Sequence, residues 1–563
     1  MSEKTLVRPE FASKAEPTTT ALLDIRNLSV SFRTRSGMVE AVRDVSLRLG
    51  RASTLAVVGE SGSGKSTMAA AVNRLLAANA VIESGQILFE GRDLVPLRES
   101  EMVRVRGAGI GLVPQDPMSN LDPVHRIGAQ IVEALSAHGM RGRAAYARAI
   151  ELLGMVGIPE PERRFRQFPH EFSGGMRQRV LIAIGLACKP QLLIADEPTS
   201  ALDVTVQRRV LDQLDELTGE MGTSLFMITH DLGLAAERAD EVLVMYRGRI
   251  VEHGSAEQIL EDPQDGYTKK LLAAAPGLAL RAGISRPPTP FADRAPSDGP
   301  ADLVVELRDV RKTYAVRDSA FARKRDFPAV TGSTFAIPRG STVAIVGESG
   351  SGKSTTARMV LGLESVTSGQ ILLDGDDIAT MDRSALARFR QRVQPVFQNP
   401  FASLDALFTV GDTIAEPLVV NRRGTAEERK SRVLELLDDV ALPADVAGRF
   451  PHELSGGQRQ RVAIARALAL RPDVVVLDEA VSALDVVVQA QILDLLAKLQ
   501  REHELSYLFI SHDLAVVRQI ADVVHVMSRG SIVESGTPEE IFEAPRETYT
   551  KELLAAIPGA RIA

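Results

Sequence analysis

The string GESGSGKST stands at Gly59–Thr67 and again at Gly347–Thr355. In each copy an apolar run leads into it and helix-favouring residues follow, MAAAVNRLL after the first and TARMVLGL after the second. Glycines between a strand and a helix let successive backbone N–H groups curl around a phosphate chain, and the positive end of the new helix adds to them. The candidate cradle is therefore Gly59, Ser61, Gly62, Gly64, Lys65, Ser66 and Thr67, with Gly347, Ser349, Gly350, Gly352, Lys353, Ser354 and Thr355 in the second copy. Lys65 and Lys353 would reach the β- and γ-phosphates of ATP, and the Ser66 and Ser354 hydroxyls are offered to Mg²⁺. A single match could be an ordinary glycine-rich turn. Two identical nonapeptides in the same setting are not.

A second kind of chemistry sits further along each copy. The apolar runs QLLIA (Gln191–Ala195) and VVVL (Val474–Leu477) each end in an Asp-Glu pair. Asp196 and Asp478 suit holding Mg²⁺ through its water shell, while Glu197 and Glu479 suit polarising an attacking water. Neighbouring residues at the end of a strand point to opposite sides, so the two acids can take different tasks. Ahead of each pair lies a Ser-Gly-Gly followed by a long apolar-rich segment: Ser173, Gly174 and Gly175, and Ser455, Gly456 and Gly457. A hydroxyl cap, glycines permitting close approach and a helix dipole of roughly half a charge make an anion site. One domain rarely needs two readers of the same phosphate, so the two readers are expected to come from opposite domains.

These residues must be positioned by a chain that says everything twice. Both phosphate loops, both SGG strings, both Asp-Glu pairs and the later histidines recur in the same order at nearly the same spacing. The spacing places a first domain at 22–276 and a second at 302–558, with a polar tail at 1–21, a Pro-, Gly- and Ala-rich linker at 277–301 and a short tail at 559–563. Short β-branched runs alternate with helical stretches, which predicts an α/β fold with largely parallel sheets. A length of 563 residues suits two domains, and 45% hydrophobic with 25% charged residues is ordinary globular composition. The net charge of −7 argues against a dedicated nucleic-acid binder. One cysteine, Cys188, precludes an intramolecular disulfide and fits a reducing compartment. No signal-like run opens the chain, and no segment approaches the roughly 18–20 apolar residues needed to span a bilayer.

The strings SGG-x-RQR, DEPTSALD (Asp196–Asp203), ITHDL (Ile228–Leu232) and ISHDL (Ile510–Leu514) resemble the nucleotide-binding domains of ABC transporters. The resemblance covers nearly the whole chain. It implies two tandem P-loop NTPase domains, each a mostly parallel RecA-like core with an antiparallel β subdomain and a helical signature subdomain. In that family two domains face head to tail around two ATP molecules. Carried over by motif, one site would join Lys65, Asp196 and Glu197 to Ser455 and Gly457, and the other Lys353, Asp478 and Glu479 to Ser173 and Gly175. His230 and His512 match the switch histidine that contacts the γ-phosphate. Gln115 (VPQDP) and Gln398 (VFQNP) match the Q-loop glutamine, which touches Mg²⁺ and faces the membrane subunit, and Asp203 and Asp485 match the D-loop. Phe32 and Tyr314 stand where an aromatic stacks on adenine. Both sites carry a glutamate, so both are expected to hydrolyse ATP, although the second reads DEAVSALD where the first reads DEPTSALD.

The segments after the Q-loop glutamines, the paired signatures FSGGMRQRV and LSGGQRQRV, and the tails GYTKKLLAAAP and TYTKELLAAIP are similar to dipeptide, oligopeptide and nickel importer ATPases. That implies the motor of an importer of di- or oligopeptides, with glutathione, nickel or modified peptides as alternative cargo. The implied partners are two transmembrane permease subunits and an extracytoplasmic solute-binding protein, with the chain peripheral on the cytoplasmic face of the membrane. Some relatives carry a cysteine-rich iron–sulfur extension, which a single cysteine does not allow. Tandem-ABC translation factors are the distant alternative; they usually place a long charged helical arm where this chain has a short Pro-rich linker. DNA-repair relatives need zinc-binding cysteines.

Overall fold

The computed structural model describes residues 21–34, 37–199, 202–275, 277–278, 302–316, 325–398, 404–482 and 484–559. The expected tails 1–21 and 559–563 and the linker 277–301 fall almost wholly outside the described residues. In the first half the strands are β1 (Leu23–Thr34), β2 (Gly37–Leu49), β3 (Thr54–Val58), β4 (Ala80–Phe89), β5 (Arg92–Asp93), β6 (Ile110–Val113), β7 (Leu192–Asp196), β8 (Ser224–Thr229), β9 (Glu241–Tyr246) and β10 (Arg249–Ser255). They form a four-stranded sheet, β2-β1-β4-β5, and a six-stranded sheet, β10-β9-β3-β8-β7-β6. The small sheet is antiparallel. In the large one only β10 runs against its neighbour.

The second half repeats this plan. Its strands are β11 (Leu303–Val316), β12 (Arg325–Pro338), β13 (Thr342–Val346), β14 (Ser368–Leu373), β15 (Asp376–Asp377), β16 (Val393–Val396), β17 (Val474–Asp478), β18 (Ser506–Ser511), β19 (Val523–Ser528) and β20 (Ser531–Gly536). Their orders are β12-β11-β14-β15 and β16-β17-β18-β13-β19-β20. The expected α/β architecture, with its antiparallel subdomain, is therefore present twice.

Why these runs become central strands is visible in β3. Every residue from Leu55 to Val58 is buried, so the run shows no polar alternation, as a parallel strand covered on both faces should not. The side chains still alternate between two cores. Leu55 and Val57 join the cluster under the antiparallel sheet, whereas Ala56 and Val58 join the cluster under the helices. In β13, Val343 and Ile345 divide from Ala344 and Val346 in the same way.

Between β6 and β7 the chain leaves the sheet for the helices Ile127–Ala137 and Gly142–Met155, then returns through Gly174–Gly185. The counterparts are Val410–Val420, Ala426–Asp439 and Gly456–Leu468. This is the helical subdomain that carries the SGG strings.

The halves touch each other through the helices that follow Asp203 and Asp485. Thr205 Oγ1 donates to Glu348 Oε1 at 2.5 Å. The Arg208 guanidinium donates to the Ala555 carbonyl, and the Gly559 N–H to Glu237 Oε2 at 3.2 Å. Val204 joins the core of the second half, and Val487 packs on that of the first.

Candidate functional site

Each phosphate loop is wedged between the end of a parallel strand and the antiparallel sheet. A Cβ on Gly59 would lie 2.2 Å from the Met245 carbonyl oxygen, and one on Gly64 2.3 Å from that of Ala41. The loop has no room for side chains there, and the backbone alone can curl through. Helix Lys65–Val72 then starts at the lysine, capped by Gly64 at φ 101°, and helix Lys353–Val360 starts in the same way after Gly352. The Lys65 ammonium donates to the carbonyls of Gly59 (2.6 Å) and Glu60 (2.8 Å). Lys353 does the same to Gly347 and Glu348, at 2.8 Å each. Burial lowers the pKa of both lysines, while facing carboxylates, Glu197 foremost for Lys65 and Glu479 for Lys353, favour the charge. Two buried cations held mainly by carbonyl oxygens, with the Ser63 hydroxyl 3.5 Å from Lys65, are ready to exchange them for phosphate oxygens.

At the end of β7 the two acids separate as expected. Asp196 Oδ1 accepts from the Ser66 hydroxyl at 3.1 Å, and Asp478 Oδ1 from Ser354 at 3.3 Å. A hydroxyl and a carboxylate converging beside a phosphate loop are the hard oxygen donors Mg²⁺ takes alongside phosphate and water. Burial, and then the neighbouring glutamate's charge, push these aspartates above the usual carboxylate range, with the serine's hydrogen bond opposing. A cation there would relieve both effects, so the residues present fit the ion.

The glutamates face elsewhere. Glu197 Oε1 lies 3.3 Å from His230 Nδ1, and its Oε2 accepts from Gln115 Nε2 at 2.8 Å. Glu479 has the same partners, His512 at 3.3 Å and Gln398 at 2.7 Å. The glutamines, expected to touch the cation, are thus tied to the glutamates through their amide N–H groups. Both glutamates take φ values rare for a side-chain-bearing residue, 45° for Glu197 and 50° for Glu479. The left-handed turn lets Glu197 N–H donate to the Ile228 carbonyl (2.9 Å) while the carboxylate swings towards the histidine after β8. Local backbone strain of this kind, about 1–3 kcal/mol, persists only where the surroundings enforce it.

The Glu–His pairs are coupled. Burial alone would raise the Glu197 carboxyl, but the hydrogen bond and charge of His230, then Lys65 and Gln115, hold it below its ordinary value. Burial would lower His230, and Glu197 outweighs it, so the imidazole titrates above its ordinary value. The histidine's contribution to stability is complete below its unfolded value and is lost as pH rises through the higher folded one. The glutamate's is present above its unfolded value and is lost as pH falls through the lower folded one. The pair therefore holds the site together between those limits. In nucleotide-free protein the His230 ring is expected to titrate above 6.5 by NMR, and Glu197→Gln is expected to bring the midpoint down. An unchanged midpoint in the variant would remove Glu197 as the cause.

The SGG strings play a double part. Ser173 caps helix Gly174–Gly185 by accepting from Met176 N at 3.4 Å. Ser455 Oγ accepts from Gln458 N at 3.3 Å, and Ser455 N in turn donates to Gln458 Oε1 at 3.0 Å. The close approach permitted by the second glycine is to this chain itself: a Cβ on Gly175 would meet Val206 at 2.4 Å, and one on Gly457 would meet Val488 at 2.5 Å. Ser173, Gly174 and Ser455 are exposed. Across the two halves, Asp485 stands within electrostatic reach of Lys65 and Asp203 within reach of Lys353. Phe32 and Tyr314 lie on β1 and β11, Phe32 opposite Val39 and Ala80, and the Lys312 ammonium sits 5.1 Å from the Tyr314 ring.

Sequence reasoning missed one asymmetry. Thr205 reaches Glu348 across the halves, whereas the corresponding residue of the second half is Val487, which has no hydroxyl for Glu60. Reading the two DVxVQ strings side by side could have found it.

Residues 42–200 and 330–482 match the ABC transporter family, and residues 251–294 and 533–562 match the oligopeptide/dipeptide transporter C-terminal region. The chain belongs to the ATP-binding subunits of ABC transporters. It carries two of their nucleotide-binding domains in one polypeptide, with the ATPase activity of that family. Among its relatives, the glutathione import ATP-binding protein GsiA of Salmonella typhimurium is 46% identical over 559 residues, which is 96% of this chain and 90% of that protein. The GsiA proteins of Pectobacterium atrosepticum and of Escherichia coli O6:H1 are each 44% identical over the same shares. Among the described residues, no helix is long and apolar enough to cross a membrane.

Proposed function

We propose that this ABC-transporter subunit powers the import of glutathione. The observation that carries the reading is the match along 96% of the chain to glutathione import ATP-binding proteins. It favours glutathione over the di- and oligopeptides expected from the segments after Gln115 and Gln398. The C-terminal match to oligopeptide and dipeptide transporters supports peptides as the second reading.

On this proposal residues 22–276 and 302–558 are the two nucleotide-binding domains, joined by 277–301. Lys65, Asp196 and Glu197 work with Ser455 and Gly457, and Lys353, Asp478 and Glu479 with Ser173 and Gly175. In each site the phosphate loop holds ATP and the Ser–Asp pair holds Mg²⁺, which neutralises charge on the phosphates. The glutamate takes the proton of the attacking water, and the histidine keeps that carboxylate ionised and oriented. Phe32 and Tyr314 supply a face for adenine. Closing of the halves and their reopening after hydrolysis would drive two permease subunits, fed by an extracytoplasmic binding protein, from the cytoplasmic side of the membrane. Apolar residues just after the Q-loop glutamines support permease docking there: Met118 is 65% exposed, Val124 75% and Leu407 83%.

The test is uptake of labelled glutathione and labelled di-, tri- and tetrapeptides by cells carrying this chain or its Lys65→Ala, Lys353→Ala variant. Glutathione uptake is expected to fall to background in the variant while peptide uptake is unchanged. Loss of peptide uptake with glutathione uptake intact would establish the second reading instead.

A further inference from the structure

The helix that closes each half, Gly266–Ala274 in the first and Thr548–Ala555 in the second, carries a tyrosine that the site chemistry described above does not use. Its hydroxyl reaches back across the domain to the phosphate loop. The Glu60 N–H donates to Tyr267 Oη at 3.0 Å, and the Glu348 N–H donates to Tyr549 Oη at 3.0 Å. We propose that Tyr267 and Tyr549 are positioning residues of the two ATP sites, fixing the first peptide of each phosphate loop so that the loop keeps its shape when its lysine turns to the nucleotide.

The Gly59–Glu60 peptide is held from both ends. Its carbonyl, the Gly59 oxygen, accepts from Lys65 Nζ (2.6 Å), and its N–H, on Glu60, donates to the tyrosine. The Gly347–Glu348 peptide has the same arrangement, with Lys353 Nζ at 2.8 Å from its carbonyl and Tyr549 on its N–H. When the ammonium leaves for phosphate oxygens, the carbonyl loses its charged partner. The hydroxyl, from an element outside the loop, still fixes the peptide plane. Burial pushes both phenols up, so they remain protonated hydroxyls through the whole working range.

The closing helix is itself anchored for this task. The Glu252 carboxylate of β10 accepts from the N–H groups of Gln264 (2.6 Å) and Asp265 (3.2 Å), which fixes where the helix begins. Glu534 of β20 does the same for Arg546 (2.7 Å) and Glu547 (3.2 Å). The surroundings of the ring differ between halves: Tyr267 stacks on Tyr246 with centroids 4.2 Å apart, whereas in the second half Ser528 stands in the place of Tyr246. Different surroundings deliver the same 3.0 Å contact, so packing alone does not account for it. A phenylalanine would fill the same apolar space, and only the hydroxyl meets the loop. The second helix also ends on the opposite half, where Ala555 and Gly559 meet Arg208 and Glu237. It is a strut between one domain's phosphate loop and the other domain's helices.

The experiment is steady-state MgATP hydrolysis by the purified full chain, comparing wild type with Tyr267→Phe, Tyr549→Phe and the double variant. Removing one net hydrogen bond per loop is expected to raise the KM for ATP about three- to tenfold in the double variant. The kcat should stay within about twofold, because the hydroxyls do not touch the reacting atoms. The nucleotide-free melting temperature is measured alongside, together with its rise on adding MgATP. A smaller rise on adding MgATP, from an unchanged starting point, supports the positioning role. An unchanged KM and an unchanged rise would overturn it, as would equal losses of kcat and of nucleotide-free stability, which mark a packing residue. Wild-type turnover itself reports on the ATPase assignment, so failure of the two ideas is distinguishable.

Discussion

Glu197→Gln combined with Glu479→Gln is expected to lower ATP turnover by about 10²–10⁴-fold, the usual contribution of a positioned general base. ATP binding should survive, because the phosphate loops and the Ser–Asp pairs are untouched. The glutamine amide matches the carboxylate in shape, and its oxygen can still accept from Gln115 or Gln398, which keeps the site folded. It cannot take a proton from water. Each single variant leaves one complete site, so the comparison of the two singles also measures how far the halves depend on each other. With both bases neutral, ATP stays uncleaved and the closed pair should accumulate, readable as slow release of labelled ATP or as a compact state in small-angle scattering. Turnover retained at wild-type rate in the double variant would mean that another group activates the water. The His230 titration serves as an internal control: a drop in its midpoint shows that the charge was removed where intended.

Gly59→Ala should be the most damaging small change in the first phosphate loop. The new methyl carbon would sit 2.2 Å from the Met245 carbonyl oxygen, and Met245 belongs to β9, which pairs directly with β3. Neither backbone can retreat without breaking the sheet that carries the loop. A loss of about 2–4 kcal/mol in stability is expected, from overpacking against backbone, together with at least a tenfold loss of ATP affinity at that site. Gly62→Ala is the matched comparison, since nothing lies within 4 Å of its Cβ. Only its left-handed φ of 78° is then strained, at about 1–2 kcal/mol. Urea unfolding and fluorescent-nucleotide titration of the two variants check the order. Equal effects would mean that the loop relaxes and that the clash with Met245 does not decide its shape.

Much of this site was legible in the residues alone because its parts are short strings whose chemistry is local. A glycine-rich turn followed by Lys-Ser, a carboxylate pair ending an apolar strand and a serine capping a helix keep their meaning wherever the fold sets them down. The repeat made each string its own confirmation, and uninterrupted apolar runs such as TLAVV and VVVL announced strands covered on both faces. Cargo was the weaker reading, since these strings carry the chemistry of a nucleotide site and none that singles out a cargo.

What the sequence by itself determined was therefore the doubled α/β plan, along with the strings proposed to meet nucleotide. The tertiary structure decided how those groups are held. It turned Glu197 and Glu479 into left-handed backbone, set Gln115 and Gln398 on the same carboxylates as the histidines, and packed the second signature glycines against Val206 and Val488. It brought Tyr267 to Glu60 and Tyr549 to Glu348, and it gave one half a Thr205–Glu348 bond that the other half lacks. Each of these contacts joins residues from separate elements, and some join the two halves. No periodicity or local propensity encodes such meetings; the order in which parallel strands stack, and the way the halves face each other, brings them about.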